Sequence, residues 1–94
     1  MAWQINYSRS ALNELKKLDK QDARRIINYL TLHVQPLENP KQLGKALTGN
    51  LKEFWRYRIG NYRVIAEVQE DKIIILILRV AHRKEVYKVK SLSS

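Results

Sequence analysis

Between Leu51 and Val68 the apolar residues recur with a period of two, and the alternation is interrupted once, at Gly60-Asn61. Such alternation marks extended chain with one face turned toward a core. A Gly-Asn pair between two alternating runs predicts a two-residue hairpin turn, the glycine supplying the positive φ of a type I′ or II′ geometry. A turn of that length fixes the register. Ile59 then faces Tyr62, Arg58 faces Arg63, Tyr57 faces Val64 and Arg56 faces Ile65, and cross-strand partners share a face of the sheet. One face carries Trp55, Tyr57, Ile59, Tyr62, Val64, Ala66 and Val68, a surface suited to pack beneath helices. The other carries Lys52, Arg56, Arg58 and Arg63, with Phe54 and Ile65 between them. Like charges directly opposed destabilise a sheet by a few tenths to about 1 kcal/mol. The tension between Arg58 and Arg63 disappears when a phosphate or carboxylate sits between them, because guanidinium forks match such anions in bidentate fashion.

The remainder of the chain supplies partners for this hairpin. Trp3, Ile5 and Tyr7 alternate with Gln4 and Asn6 as a half-buried strand. Ser8 is a candidate helix N-cap, followed by an apolar stripe of Ala11, Leu12, Leu15 and Leu18. Asp19 is a second candidate cap, with Asp22 in the first turn where a negative charge suits the helix dipole. Ala23, Ile26, Ile27, Leu30 and Val34 continue at helical spacing, so the two helices form a hairpin. Its outer side carries Lys16, Lys17, Lys20, Arg24 and Arg25, a solvated face or a second contact surface. Pro36 to Pro40 reads as a loop, and Lys41 to Asn50 as holding no more than a short helical turn. Lys72 to Val80, rich in Ile and Leu, reads as a third strand with a central place in the sheet and both faces buried. The expectation is an α+β fold of order β-α-α-β-β-β with a mainly antiparallel sheet. Residues 1–35 form the first strand and helical hairpin, and residues 51–87 form the hairpin and third strand.

Composition narrows what such a fold can do. The 94 residues suffice for a single domain spanning 1–94. Eighteen Lys and Arg against nine Asp and Glu leave a net charge of +9, which points to a polyanion, an acidic protein or an anionic surface as partner. Residues 1–40 carry six basic and four acidic side chains, whereas residues 41–94 carry twelve and five. The positive excess therefore belongs to the strand-rich half. The absence of cysteine excludes disulfides, thiolate metal sites and thiol nucleophiles. His33 and His82 are too far apart in sequence to suggest a ligand pair, so no metal and no cofactor is expected. The N-terminus lacks the apolar core of a signal peptide. The apolar run from Ile73 to Leu78 is far shorter than the roughly 20 residues of a membrane span. A cytoplasmic location without membrane partners is the expectation.

The third strand leads into His82-Arg83-Lys84-Glu85-Val86-Tyr87, which sets an imidazole, cations and a phenol within six residues. Such a group can complete an anion site with acid/base capacity. The Tyr62-Arg63 step after the turn, this ending, and the order of elements over nearly the whole chain resemble the RelE family of toxin–antitoxin ribonucleases. The resemblance implies cleavage of mRNA on the translating ribosome and inhibition of translation. It also implies a cognate RelB-like antitoxin as partner, with operator DNA contacted only through the antitoxin complex. By the same resemblance Arg63, Arg83 and Tyr87 are catalytic, and Arg56, Arg58, Lys52 and Lys84 bind RNA phosphate. Arginine does not lose its proton under ordinary conditions, its pKa lying above about 12. Proton transfer therefore falls to His82, an imidazole, or to Tyr87. Two other readings fit the same sequence: a ParE-like toxin acting on DNA gyrase without nuclease activity, and a non-catalytic RNA-binding module.

Overall fold

The computed structural model describes residues 3–47 and 54–82. In it the chain runs β1 (Gln4–Tyr7), α1 (Arg9–Lys17), α2 (Lys20–Tyr29), β2 (Lys45–Ala46), β3 (Phe54–Ile59), β4 (Tyr62–Gln69) and β5 (Ile74–His82). α2 passes directly into a π-helical turn at Leu30–Val34, and Pro40–Gln42 forms one 3-10 turn. The strands make one sheet of order β1-β5-β4-β3-β2. β1 runs parallel to β5, and the other neighbours are antiparallel. The expected α+β arrangement is present, with one addition: β2, two residues long, lies where only a helical turn was expected.

The hairpin has the register that its turn dictates, with Ile59 opposite Tyr62, Arg58 opposite Arg63 and Arg56 opposite Ile65. Gly60 has φ +58, and Asn61 is not among the residues with positive φ, so the turn is of the II′ kind. The inward face of β3 and β4 supplies Tyr57, Ile59, Val64, Ala66 and Val68 to the core, where they meet Ala11, Leu15, Ile26, Leu30 and Val34 from the helices. The helical stripes are narrower than their sequence spacing predicts. Leu12 and Ile27 remain 45% and 39% exposed, because only the residues nearest the sheet reach it. Ser8 caps α1 through its Oγ, which accepts from the Ala11 N–H at 3.0 Å. Asp19 occupies the cap position of α2, but its side chain makes no capping bond.

β5 differs from expectation in extent and burial. It starts at Ile74, because Asp71, Lys72 and Ile73 belong to the preceding turn, and Ile73 enters the strand with φ +56. β5 is interior to the sheet, yet only the helix-facing residues Ile75, Ile77 and Val80, together with Ala81, are buried. Ile74, Leu76 and Leu78 are half-buried, because no helix among the described residues covers the second face. A bulge at Leu78 interrupts its pairing with β4, where Ile65 pairs with Arg79 and Ala66 with Ile77.

β1 ends at Tyr7, and past that point α1 takes over the edge of β5. Ser8 donates its N–H to the Ile77 carbonyl at 2.8 Å and its hydroxyl to the Leu78 carbonyl at 2.9 Å. The Glu14 carboxylate then accepts from the Val80 N–H at 2.8 Å and from the Arg79 guanidinium at 3.0–3.2 Å. A side chain thus replaces a neighbouring strand as acceptor, which keeps a strand edge from being left unpaired. Replacing Glu14 with Ala removes the acceptor shared by the Val80 N–H and the Arg79 guanidinium, and hydrogen bonds to charged groups contribute about 1.5–3 kcal/mol. Urea unfolding of Glu14→Ala is expected to show a loss of about 1–2 kcal/mol, the guanidinium being partly exposed to water.

Candidate anion-binding site

The outward face of the hairpin gathers the cations. Arg58 stands opposite Arg63 on β4, and Lys45 stands opposite Arg56 on β3. β2 covers β3 only at Trp55 and Arg56. Where β2 ends, a cleft of about 440 Å³ opens, lined by Arg56, Arg58, Arg63, Lys45, Gly44 and Tyr29. Among the described residues no carboxylate lines it. The ion pairs Arg79–Glu14 and Lys41–Glu70 lie elsewhere. Arg63 is held by its own turn, its Nη1 donating to the carbonyls of Tyr62 and Gly60 at 3.0 and 3.3 Å. Four cationic side chains around one concavity create a strong local preference for an anion, and guanidinium forks favour a tetrahedral oxyanion.

The position of the cleft follows from bonds on the opposite face. Tyr57 lies between Arg56 and Arg58 and points inward, fully buried, with its hydroxyl donating to the Pro40 carbonyl at 2.7 Å. Trp55 donates its indole N–H to the Leu43 carbonyl. Upstream, Trp3 donates its indole N–H to the Glu38 carbonyl at 3.0 Å. Together they clip the connection after α2 along β3 and bring Lys45 to the arginines. The segment closes tightly at Gly44, which has φ +78. A Cβ there would lie 2.4 Å from the Arg56 carbonyl oxygen.

The sequence candidates divide three ways. Arg56, Arg58 and Arg63 come together in the cleft. His82 does not join them: it pairs with Tyr62, shares the helix-side face, and meets the Tyr62 ring edge-on at 5.5 Å. There it lines a separate hollow with Glu14, Lys17, Leu18, Tyr62 and Val80. The Tyr62 hydroxyl donates to Asp22 Oδ2 at 3.0 Å. Lys52, Arg83, Lys84 and Tyr87 lie outside the described residues. Two cleft residues went unnoticed in the sequence. Lys45 depends on a two-residue strand too short to show a period, and Tyr29 sits at the end of an amphipathic helix, where a tyrosine reads as core.

With that geometry in view, the comparisons with known proteins agree. Residues 5–87 match the family described as ParE toxin of type II toxin-antitoxin system, parDE. Toxin RelG of Mycobacterium tuberculosis is 24% identical over 94% of this chain and 99% of its own. The putative toxin RelE1 of Methanocaldococcus jannaschii is 30% identical over 94% of this chain and 98% of its own. Among solved structures, the toxin–antitoxin complex RelBE2 of M. tuberculosis superposes with a TM-score of 0.79 at 23% identity, covering 88% of this chain and 93% of that one. A mutant of E. coli toxin RelE in the free state gives 0.76 at 22% identity, covering 97% and 93%. The fold and the matches place this chain among the small α+β toxins of type II toxin–antitoxin modules. It belongs to the RelE/ParE superfamily.

Two measurements check how the cleft is built. Gly44→Ala forces a side chain into the left-handed region, which alone costs about 1–2 kcal/mol, and drives its methyl into β3. Chemical denaturation is expected to show a loss of at least about 2 kcal/mol, with weakened protection in hydrogen exchange of the Leu47 amide, which donates to the Phe54 carbonyl. Burial pushes the Tyr57 hydroxyl well above the ordinary tyrosine value, and the neighbouring Tyr29 phenol adds to it. A proton bound more tightly in the folded chain stabilises it below the unfolded pKa of about 10 and progressively less above. Stability is therefore expected to fall as pH rises past about 10, with a shallower fall in Tyr57→Phe. That variant also loses about 1 kcal/mol at neutral pH with its hydrogen bond.

Proposed function

We propose that this toxin is a ribosome-dependent mRNA endoribonuclease that arrests translation, and that a cognate RelB-like antitoxin covers its basic face to silence it. The convergence of Arg56, Arg58 and Arg63 on one concavity carries the reading. A phosphodiester is the ligand that relieves their mutual repulsion. The likeness to RelG and RelE1 supports it, as do the antitoxin complexes in which structural neighbours such as RelBE2 occur.

In the proposed reaction an RNA 2′-hydroxyl attacks the adjacent phosphorus. The P–O bond to the next nucleotide breaks, leaving a 2′,3′-cyclic phosphate and a free 5′-hydroxyl. Negative charge grows on the phosphoryl oxygens, and fixed guanidinium groups aimed at them stabilise the transition state more than the ground state. Arg56, Arg58 and Arg63 fill that role, joined by Arg83, with Lys52 and Lys84 on the flanking phosphates. The guanidiniums supply the charge that a metal ion supplies in other nucleases. They do not move protons, so the 2′-hydroxyl proton needs another acceptor. Tyr87 is assigned contact with the scissile nucleotide and proton transfer, its phenolate taking the 2′-hydroxyl proton and the resulting phenol returning a proton to the leaving 5′-oxygen. Because His82 faces the helices, it is assigned the support of Tyr62 and the end of β5 rather than the chemistry. DNA of the operator is contacted through the antitoxin.

The description of the matching family favours a second reading, a gyrase-directed toxin without nuclease activity. Mapping RNA 5′ ends after induction separates the two: cuts phased with codons for the ribonuclease, DNA damage without them for the other. Arg63→Ala and Tyr87→Ala, at wild-type protein levels, are each expected to lower mRNA cleavage at least 100-fold and restore growth. If both still arrest growth with the cut pattern intact, the ribonuclease site has been misassigned.

A further inference from the structure

The wall of the cleft opposite the arginine hairpin is made by Tyr29 from α2 and by Lys45 from β2. Tyr29 is half-buried. It packs partly on the core and tilts against His33 at a ring separation of 5.3 Å, while it also lines the cleft. Lys45 is exposed and lies across from Arg56. At about 440 Å³ the cleft falls within the ~300–1,000 Å³ of small-molecule sites and is larger than one phosphate requires. An aromatic ring beside a row of cations is the combination that binds single-stranded nucleic acid, the ring taking a base and the cations the backbone.

We infer that Tyr29 and Lys45 form a second nucleotide subsite, in which the Tyr29 ring stacks a nucleobase and the Lys45 ammonium holds the phosphate next to the one gripped by the arginines. The inference rests on the ribonuclease reading and extends it from one phosphate to a dinucleotide step. The ring is sequence-tolerant, since every base offers a π face. The subsite therefore sets how firmly the strand is held more than which base is chosen.

The probes are a fluorescent 2′-O-methyl trinucleotide, which lacks the attacking hydroxyl, and its counterpart abasic at every position. Tyr29→Leu keeps apolar bulk and removes the π face. It is expected to bind the trinucleotide about 10-fold more weakly and the abasic strand as wild type does, while Tyr29→Phe stays within about 2-fold on both. Lys45→Gln is expected to weaken both probes and to reduce the salt dependence of binding by about one charge. In the wild-type protein the Tyr29 ring resonances are expected to shift with the trinucleotide and not with the abasic strand, a readout independent of how well the variants fold. Unshifted resonances, or an equal loss on both probes in Tyr29→Leu, overturn the subsite alone. If the wild-type chain binds neither probe the subsite falls, and the ribonuclease reading falls with it only where the mapped RNA 5′ ends also lack codon-phased cuts.

Discussion

The buried hydroxyl of Tyr57 reaches the Pro40 carbonyl from the middle of β3, and the basic face of the sheet depends on that contact. In a strand, a side chain fixed inward fixes its two neighbours outward. Anchoring Tyr57 therefore commits Arg56 and Arg58 to the opposite face, and the short turn at Gly60 carries the commitment across to Arg63. The same bond secures the 3-10 turn at Pro40–Gln42, from which the chain proceeds through Gly44 to Lys45. One hydrophobic decision, which face of β3 enters the core, thus assembles a polar site on the other side. The opposed arginines weaken the sheet locally. The apolar contacts that hold it, Tyr57 and Val64 against Ile26 and Leu30, all lie on the far face, where charge does not reach.

How much of this was legible in the sequence depended on whether the signal was periodic or tertiary. The β3–β4 register followed from alternation and a two-residue turn, and the cluster of Arg56, Arg58 and Arg63 followed from the register. Ser8 was legible as a cap because its preference is local. β2 was not legible: a strand of two residues has no period, and it exists because Trp55, Tyr57 and Trp3 bond to carbonyls of the preceding loop. Lys45 and Tyr29 were lost with it. The Ile/Leu run of β5 suggested burial on both faces, but the described helices pack on one face, and on the other Ile74, Leu76 and Leu78 are half-buried. His82 could not be assigned a face, since a bulge upstream of it leaves no mark in the pattern.

The chemistry follows from which groups can and cannot change charge. A site of permanently charged guanidiniums stabilises an anionic transition state throughout the neutral range, but it leaves proton movement to another group. In the proposed mechanism that division sets electrostatics on the rigid hairpin and acid/base work on the chain beyond β5. Holding the end of β5 in place then matters more than the titration of any residue within it. The Glu14 contacts to Val80 and Arg79 and the Asp22–Tyr62–His82 chain of contacts serve that end, tying the two helices to the last residues of the strand.

The extra residue at Leu78 acts as a parity switch. Before it, odd-numbered residues of β5, Ile75 and Ile77, point to the helices; after it, the even-numbered Val80 and His82 do. Removing Leu78 would leave a continuous ladder of backbone bonds and keep every later residue on its face, because Ile77 already pairs with Ala66, Arg79 with Ile65 and Ala81 with Arg63. The bulge thus absorbs one residue of length without disturbing side-chain facing, and counting parity straight through it from Ile75 would put Val80 and His82 on the wrong side of the sheet.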